Sequence, residues 1–500
     1  MKITKISPSK ALLTEIQPLE RLELRKLLSY ANTAKAYLVK RHVNNHVWKT
    51  RNFESWDAKY EELKAAVNTT LVFNDGDGDY VRPGSIPYIL EKMDAEVVDL
   101  CSYPVPKPIA WARKLPFNLY PYQRISADKL VAEKHASVSL CTGAGKTGVI
   151  MQVCRDTGFH TAIIVPSKSI FLELVEKFEH HFGKPLVGKF GNGTKKIGKR
   201  FTICIGDSLT NIKEGTPEWD WFHNLQMIVV DESHTFGAET LEEVTHGVLA
   251  NVPYRLFLSG TQVRGSGDTK LLQSIIGRTV HELSTEEAVA GGYICPHEYR
   301  IVRLPSSNPN FQTGDALEMK RVHFLNNTNI LKFAAKLANA EAKLNNRGTL
   351  ILVDELSQVA YLAKLMEVPF VLAHSEARKE RLIELQISKV KPQESVEKFN
   401  KGEAKVIIGT SCIGTGTNLF PTHNVINLQG GSSEIKTRQA SVGRGIRFLE
   451  ANPFKIDCPP KDRAIIWDFD VTGIKIMEIH LKKRIAYYEM SGAPIKYLKL

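Results

Sequence analysis

The chain has 500 residues, 43% of them hydrophobic and 24% charged, and a formal net charge of +12. That length allows roughly three domains and several buried cores, which argues against a disordered or fibrous chain, while the basic excess favours a polyanionic partner such as nucleic acid. Seven cysteines without a C-x-x-C pair argue against a zinc framework and suit a reducing cytoplasm, Met1–Lys5 lacks the apolar core of a signal peptide, and no apolar run is long enough to span a bilayer, so a soluble cytoplasmic protein with no membrane partner is expected.

Residues 1–112 read as a small N-terminal α+β module. Leu19, Leu22, Leu24, Leu27 and Leu28 recur at helical spacing, which predicts an amphipathic helix over Pro18–Tyr30. Two short extended stretches follow, near Ala36–Val39 and Val43–Lys49. Asn74–Asp79 is turn-like, Pro87–Met93 helical, Val97–Leu100 a strand, and Tyr103–Pro108 a stiff proline-rich linker. Lys40, Arg41, His42, Lys49 and Arg51 stand among Tyr37, Trp48, Phe53 and Trp56. Cations neutralise phosphates and aromatic rings stack on bases, so a DNA contact through Lys40 and Arg41 is one reading. An amphipathic sheet with solvated charges accounts for the same residues.

Residues 113–290 alternate apolar strands with helical stretches. Strands are predicted at Ser137–Cys141, Ala162–Val165, Phe201–Ile205, Met227–Val230 and Arg255–Ser259, with a helix at Ile170–His181. Residues 291–500 repeat the alternation, at Thr349–Val353, Val368–Ala373, Lys405–Gly409, Asn424–Leu428 and Arg463–Trp467. Such alternation predicts two α/β domains with parallel sheets and helical crossovers.

Three segments carry the chemistry. The first, Ser139–Thr147, sits between an apolar run and a helix-like stretch. Thr142, Gly143, Ala144 and Gly145 can turn backbone N–H groups toward a phosphate, Lys146 can reach the outer phosphates, and the Thr147 hydroxyl can sit on Mg²⁺. Alone, this is also what a glycine turn before a helix looks like. The second, Met227–His234, is an apolar strand ending in Asp231 and Glu232, 85 positions beyond Lys146. A few crossovers can bring the acids beside the loop, where Asp231 would hold Mg²⁺ through water and Glu232 would act as general base on the attacking water. The third, Gln439–Arg447, would set Arg444 and Arg447 on one face if the stretch is helical, as phosphate-binding arginines would be, although a basic surface helix would show the same spacing. An ATPase using Mg²⁺ is expected.

Together these segments resemble motifs I, II and VI of the superfamily 2 helicases, over roughly residues 117–490. Leu119–Gln123 resembles the segment whose glutamine, here Gln123, reads the adenine edge. Val165-Pro166-Ser167 resembles motif Ia, a backbone contact; Leu258–Thr261 resembles motif III; Gly409–Leu419, with Thr410, resembles motif V. The pattern is most similar to the bacteriophage UvsW-type helicases and more loosely to RecG-type enzymes. That resemblance implies two RecA-like lobes, arginine fingers at Arg444 and Arg447, and ATP-driven remodelling of branched DNA. Two departures stand out: Leu140 where motif I has a small residue, and Asn418 where motif V commonly has Asp. Two basic, glycine-rich stretches, Lys189–Lys196 and Arg264–Gly267, are further candidate backbone contacts. A duplex translocase that separates no strands, an RNA helicase and a catalytically silent scaffold are the alternative readings.

Overall fold

The structure, a computed structural model, describes residues 1–44, 53–65, 67–113, 118–141, 143–260, 269–374, 379–413, 419–431, 448–489 and 491–499. They form two compact units: Met1–Cys141 with Gly145–Leu283, and Ser284–Leu500, with which Thr142–Ala144 group.

The first unit holds two large sheets. The N-terminal sheet orders its strands Phe73–Asp75, Gly78–Val81, Lys10–Thr14, Lys2–Ser7 and Glu96–Asp99. The larger sheet runs Thr194–Lys196, Val187–Gly191, Phe201–Ile205, Thr161–Val165, Met227–Val230, Tyr254–Ser259, His135–Leu140 and Thr279–Leu283. All its pairings are parallel except that of the edge strand Thr194–Lys196, which closes an antiparallel hairpin. Its central strands are apolar on both faces because helices cover both sides, the expected signature of a buried parallel sheet.

The predicted extended stretches at Ala36–Val39 and Val43–Lys49 are not strands in the described residues. Thr33–Val43 is a helix, capped by the Asn32 side chain, which accepts from the Lys35 N–H at 3.1 Å. The cap overrides the weak helix propensity of its Tyr, Val and Thr residues. A second helix, Phe53–Ala65, packs against it, with His42 stacked on Trp56 at 4.9 Å and His42 Nε2 on the Trp56 carbonyl at 2.8 Å. Lys40 and Arg41 lie exposed on the outside of this pair. Trp48, Lys49 and Arg51 lie outside the described residues.

The described core residues of the N-terminal sheet are shared with the nucleotide-loop domain. Ile3, Leu13, Leu24, Leu28, Val81 and Ile86 belong to one apolar cluster with Leu241, Val244, Phe257, Leu271, Leu272, Ile275 and Ile276 of the nucleotide-loop domain. Polar contacts lock the seam. Arg82 pairs with Glu242 and stacks on Phe73, its guanidinium 4.2 Å from the ring centre. Lys270 Nζ donates to the Leu27 and Ser29 carbonyls, both at 2.8 Å. Gly84 has to be glycine here, since a Cβ would lie 2.3 Å from the Ser274 carbonyl oxygen.

The second unit carries a seven-stranded parallel sheet, ordered Phe370–Ala373, Val406–Gly409, Gly348–Val353, Thr422–Leu428, Ala464–Thr472, His297–Pro305 and Ile495–Lys499. Glu298 ties three adjacent strand starts together: it accepts from Arg300 at 2.7 Å, Arg463 at 2.8 Å and Lys496 at 2.9 Å. Burial works to raise its pKa, but the three cations win and pull it down to about 2. A carboxylate held below its unfolded value adds stability that is complete above that unfolded value, near pH 4.5, and disappears as the pH falls toward 2. Glu298→Gln is therefore expected to lower stability by about 2 kcal/mol at neutral pH, discounted for the partly exposed cations. Urea unfolding at pH 7 and pH 3 checks this: the gap from wild type should narrow at the lower pH.

Candidate nucleotide site

Parallel register brings the motif residues to one edge of the larger first-unit sheet. Leu140, Val165, Val230 and Ser259 end neighbouring strands, with Ser259 opposite Ser139 and both Ile163 and Ile164 opposite the Met227–Val230 strand. The residues that follow these strand ends are the loop before Lys146, Pro166-Ser167 and Asp231-Glu232. This is the edge at which open α/β sheets bind ligands. Leu140 is the last residue of its strand, fully buried and paired with Leu283, so its side chain belongs to the core and not to the loop.

Beyond Leu140 the chain turns through Gly143 at φ 90° and Gly145 at φ 72°, and Gly145 caps the helix Lys146–Thr157. The left-handed conformation and the space both demand glycine at 145, where a Cβ would meet the Gln123 amide nitrogen at 2.5 Å. Gln123 is buried and spends its amide locally: Oε1 accepts from the Tyr120 N–H at 2.9 Å, and Nε2 donates to the Gly145 carbonyl at 3.2 Å. The structure thus ties Gln123 to the back of the loop. Thr142 lies outside the described residues.

Lys146 is buried, and its Nζ meets Glu232 Oε1 at 3.1 Å. Asp231 is buried beside them, and its Oδ1 accepts the Glu232 backbone N–H at 2.9 Å. The three groups split the charge unequally. Burial, reinforced by the Glu232 carboxylate, lifts Asp231 up to about 7 despite Lys146. Burial also works to raise Glu232, but Lys146 and then His234 hold it below the usual carboxylate range. Lys146 stays charged, because the two acids outweigh its burial. Glu232 sits at φ 49°, a left-handed backbone in a residue with a full side chain, which is the kind of local strain that collects at working sites.

These residues fit a magnesium–nucleotide group. One ammonium faces two buried carboxyls, so the cluster is short of positive charge, and a divalent cation beside Asp231 would supply it. Thr147, half-buried on the first turn of the helix, is the hydroxyl available to the same ion.

Sequence reasoning assigned no role to His234. Its Nδ1 lies 2.6 Å from Ser259 Oγ and 3.5 Å from Glu232 Oε2, so it bridges the acid to the end of the neighbouring strand. The available signal was positional: His234 follows Glu232 by two residues, and Ser259 ends an apolar strand.

The other expected contacts are scattered. Ser167 caps the helix Lys168–Phe182, accepting from the Ile170 N–H at 3.5 Å, and Pro166 precedes it. Thr410 follows the strand Val406–Gly409 in the second unit, where its N–H donates to the Ala373 carbonyl at 3.0 Å. Lys189–Lys196 is a β-hairpin instead of an open loop, and Lys189 pairs with Glu179 at 2.7 Å. Arg264, Asn418, Gln439, Arg444 and Arg447 lie outside the described residues.

Residues 116–264 match the family model described as type III restriction enzyme, res subunit. The DNA 3'-5' translocase XPB2 of Sulfurisphaera tokodaii is 24% identical over 412 residues, covering 75% of this chain and 88% of that protein. The ATP-dependent DNA helicase RecG of Staphylococcus epidermidis is 23% identical over 194 residues, 35% of this chain; the match spans only 27% of RecG. Among solved structures, a fragment of a putative HsdR subunit of a type I restriction enzyme from Vibrio vulnificus YJ016 shares the fold, with a TM-score of 0.52 and 15% identity over 76% of this chain and 68% of that one. The crystal structure of T4 UvsW aligns over 100% of both chains at 14% identity, with a TM-score of 0.43. The ordered motifs, the buried lysine–glutamate site, the family model and the XPB2 match together support an ATP-hydrolysing superfamily 2 helicase.

Proposed function

We propose that the chain converts ATP hydrolysis into movement along DNA and uses that movement to remodel branched duplexes, by fork regression, junction migration or unwinding. The observation that carries this reading is the buried Lys146–Glu232 pair beside Asp231 at the strand ends. Bound Mg²⁺–ATP supplies the phosphoanhydride. Lys146 and the turn at Gly143–Gly145 hold its phosphates, Thr147 and Asp231 hold the ion, and Glu232 orients and deprotonates the attacking water. Gln439, Arg444 and Arg447 of the second unit would complete the site when the two units close, which would make turnover depend on that closure. Pro166, Ser167, Arg264 and Thr410 would follow the phosphate backbone, and Lys40 and Arg41 on the exposed helix would meet the duplex or branch.

The test is ATP turnover and strand release measured on a fork, a four-way junction, a tailed duplex and an RNA–DNA hybrid. Stimulation by branched DNA above linear duplex is expected. Equal turnover on all four would overturn the preference for branches. Arg447→Ala should cut the turnover rate about a hundredfold and leave ATP affinity within about threefold; a change in affinity alone would remove its role as a finger. The similarity to the XPB2 translocase supports a second reading, in which the chain tracks along duplex DNA and separates no strands. ATPase on intact duplex without strand release from the fork would favour it.

A further inference from the structure

The helix Thr328–Asn345 lies on the outside of the second-unit sheet. Ile330, Leu331, Ala334 and Ala338 face the core. Lys332, Lys336 and Lys343 fall within a narrow stripe on its outer flank, because spacings of four and eleven residues return nearly to the same helical angle. Beside that stripe runs a groove with a cavity volume of about 370 Å³, floored by Ala335 and Ala340 and walled by Leu344 and Leu365. Leu344 is 80% exposed.

The groove is preformed. Asn339 Nδ2 donates to the Leu365 carbonyl at 2.9 Å, and its Oδ1 accepts the Glu367 N–H at 2.9 Å, which pins the far wall to the helix. Glu367 is the acid lining this groove, and it is taken up by Lys343. Lys332 and Lys336 have no acidic partner among the described residues, so two cations stand uncompensated over an apolar floor.

That combination selects among occupants. A phosphodiester backbone would satisfy the lysines and leave Leu344 and Leu365 against polar atoms. A wholly apolar helix would cover the leucines and strand the lysines. An acidic peptide with an apolar side chain between its carboxylates satisfies both. The cavity is near the small end for ligand sites, which suits a short motif. Its Lys343–Leu344 end lies where the helix turns into the start of strand Gly348–Val353, whereas Thr410 follows the finishing end of a neighbouring strand. An occupant at that end leaves the motif-bearing edge uncovered.

We propose that this groove docks an acidic peptide segment of a partner protein, with carboxylates on Lys332 and Lys336 and an apolar side chain against Leu344 and Leu365. The inference does not depend on the DNA substrate proposed above. Fluorescence anisotropy of the full chain tests it, using a labelled hexapeptide of four aspartates, a leucine and a phenylalanine. The controls are the same peptide with asparagines for aspartates, and a short oligo-dT. The double variant Lys332→Glu/Lys336→Glu is expected to weaken aspartate-peptide binding at least about tenfold, and Leu344→Asp to do the same. Lys482→Glu/Lys483→Glu, exposed elsewhere on this unit, should leave it unchanged. Basal ATPase should persist in every variant, showing that they fold. Equal loss in the two lysine double variants would overturn the proposal, as would undiminished binding of the asparagine peptide. No peptide binding, with oligo-dT affinity lost in the groove variants, would assign the groove to nucleic acid instead.

Discussion

Replacing Lys146 with alanine is expected to cut ATP turnover about a thousandfold while the protein stays folded and still binds DNA. The ammonium lies 3.1 Å from Glu232 Oε1, and in the proposed mechanism it stabilises the charge developing on the transferred phosphate. Its loss also leaves two buried carboxyls side by side. That arrangement would be severe if both stayed ionised. It need not be, because burial already works to raise both acids and Lys146 is the largest influence holding Glu232 down. In the variant one carboxyl is expected to take up a proton, which leaves a neutral–anionic pair and removes the repulsion. Circular dichroism should therefore show a native spectrum beside the lost turnover. Turnover within tenfold of wild type would remove Lys146 from the phosphate site.

Arg484→Met is expected to destabilise the second unit by about 3–5 kcal/mol, the largest stability effect anticipated here. Arg484 is fully buried. Its Nε and Nη2 donate to Asp468 at 2.7 and 3.1 Å, and its Nη1 donates to the Gly431 carbonyl at 2.7 Å. The Tyr488 hydroxyl donates to the same carboxylate at 2.6 Å. Methionine would fill much of the volume and leave Asp468 buried with a single donor side chain. Tyr488→Phe removes only one neutral donor and should cost about 1–2 kcal/mol. Denaturant unfolding of both variants separates the two magnitudes. Equal effects would mean that the Arg484–Asp468 pair contributes no more than a single neutral hydrogen bond. Gly431 directly precedes the segment that holds Gln439, Arg444 and Arg447, so Tyr488→Phe is also the milder variant in which to look for slowed turnover.

Central strands such as Met227–Val230 and Val406–Gly409 were legible because burial on two faces leaves uninterrupted apolar runs, whereas the interior strands Val187–Gly191 and His297–Pro305, with charged residues among their apolar ones, were missed. Of the edge strands, Phe370–Ala373 and Glu96–Asp99 were also legible, but others were not. Thr279–Leu283 and Ile495–Lys499 mix polar and apolar residues because one face is wet, and over five residues that mixture looks like a loop. The helix Thr33–Val43 was misread from its Tyr, Val and Thr content, although Asn32 offered a capping signal. At the candidate site, residue types and order pointed to the loop and the acids. The Lys146–Glu232 contact, the unequal charge on the two acids and the His234–Ser259 bridge arise from strands far apart in the chain, and no local spacing encodes them.

The shared core of the N-terminal sheet bears on how the chain is made. A ribosome completes Lys2–Asp99 long before it reaches Leu271–Ile276, which belong to the same apolar cluster as Leu24, Val81 and Ile86. Domains ordinarily fold as they emerge, N-terminal first. This one keeps part of its apolar surface uncovered until the nucleotide-loop sheet is nearly synthesised. A fragment stopping at the proline linker would end inside that waiting period, whereas one stopping after Leu283 would carry everything the first strands pack against.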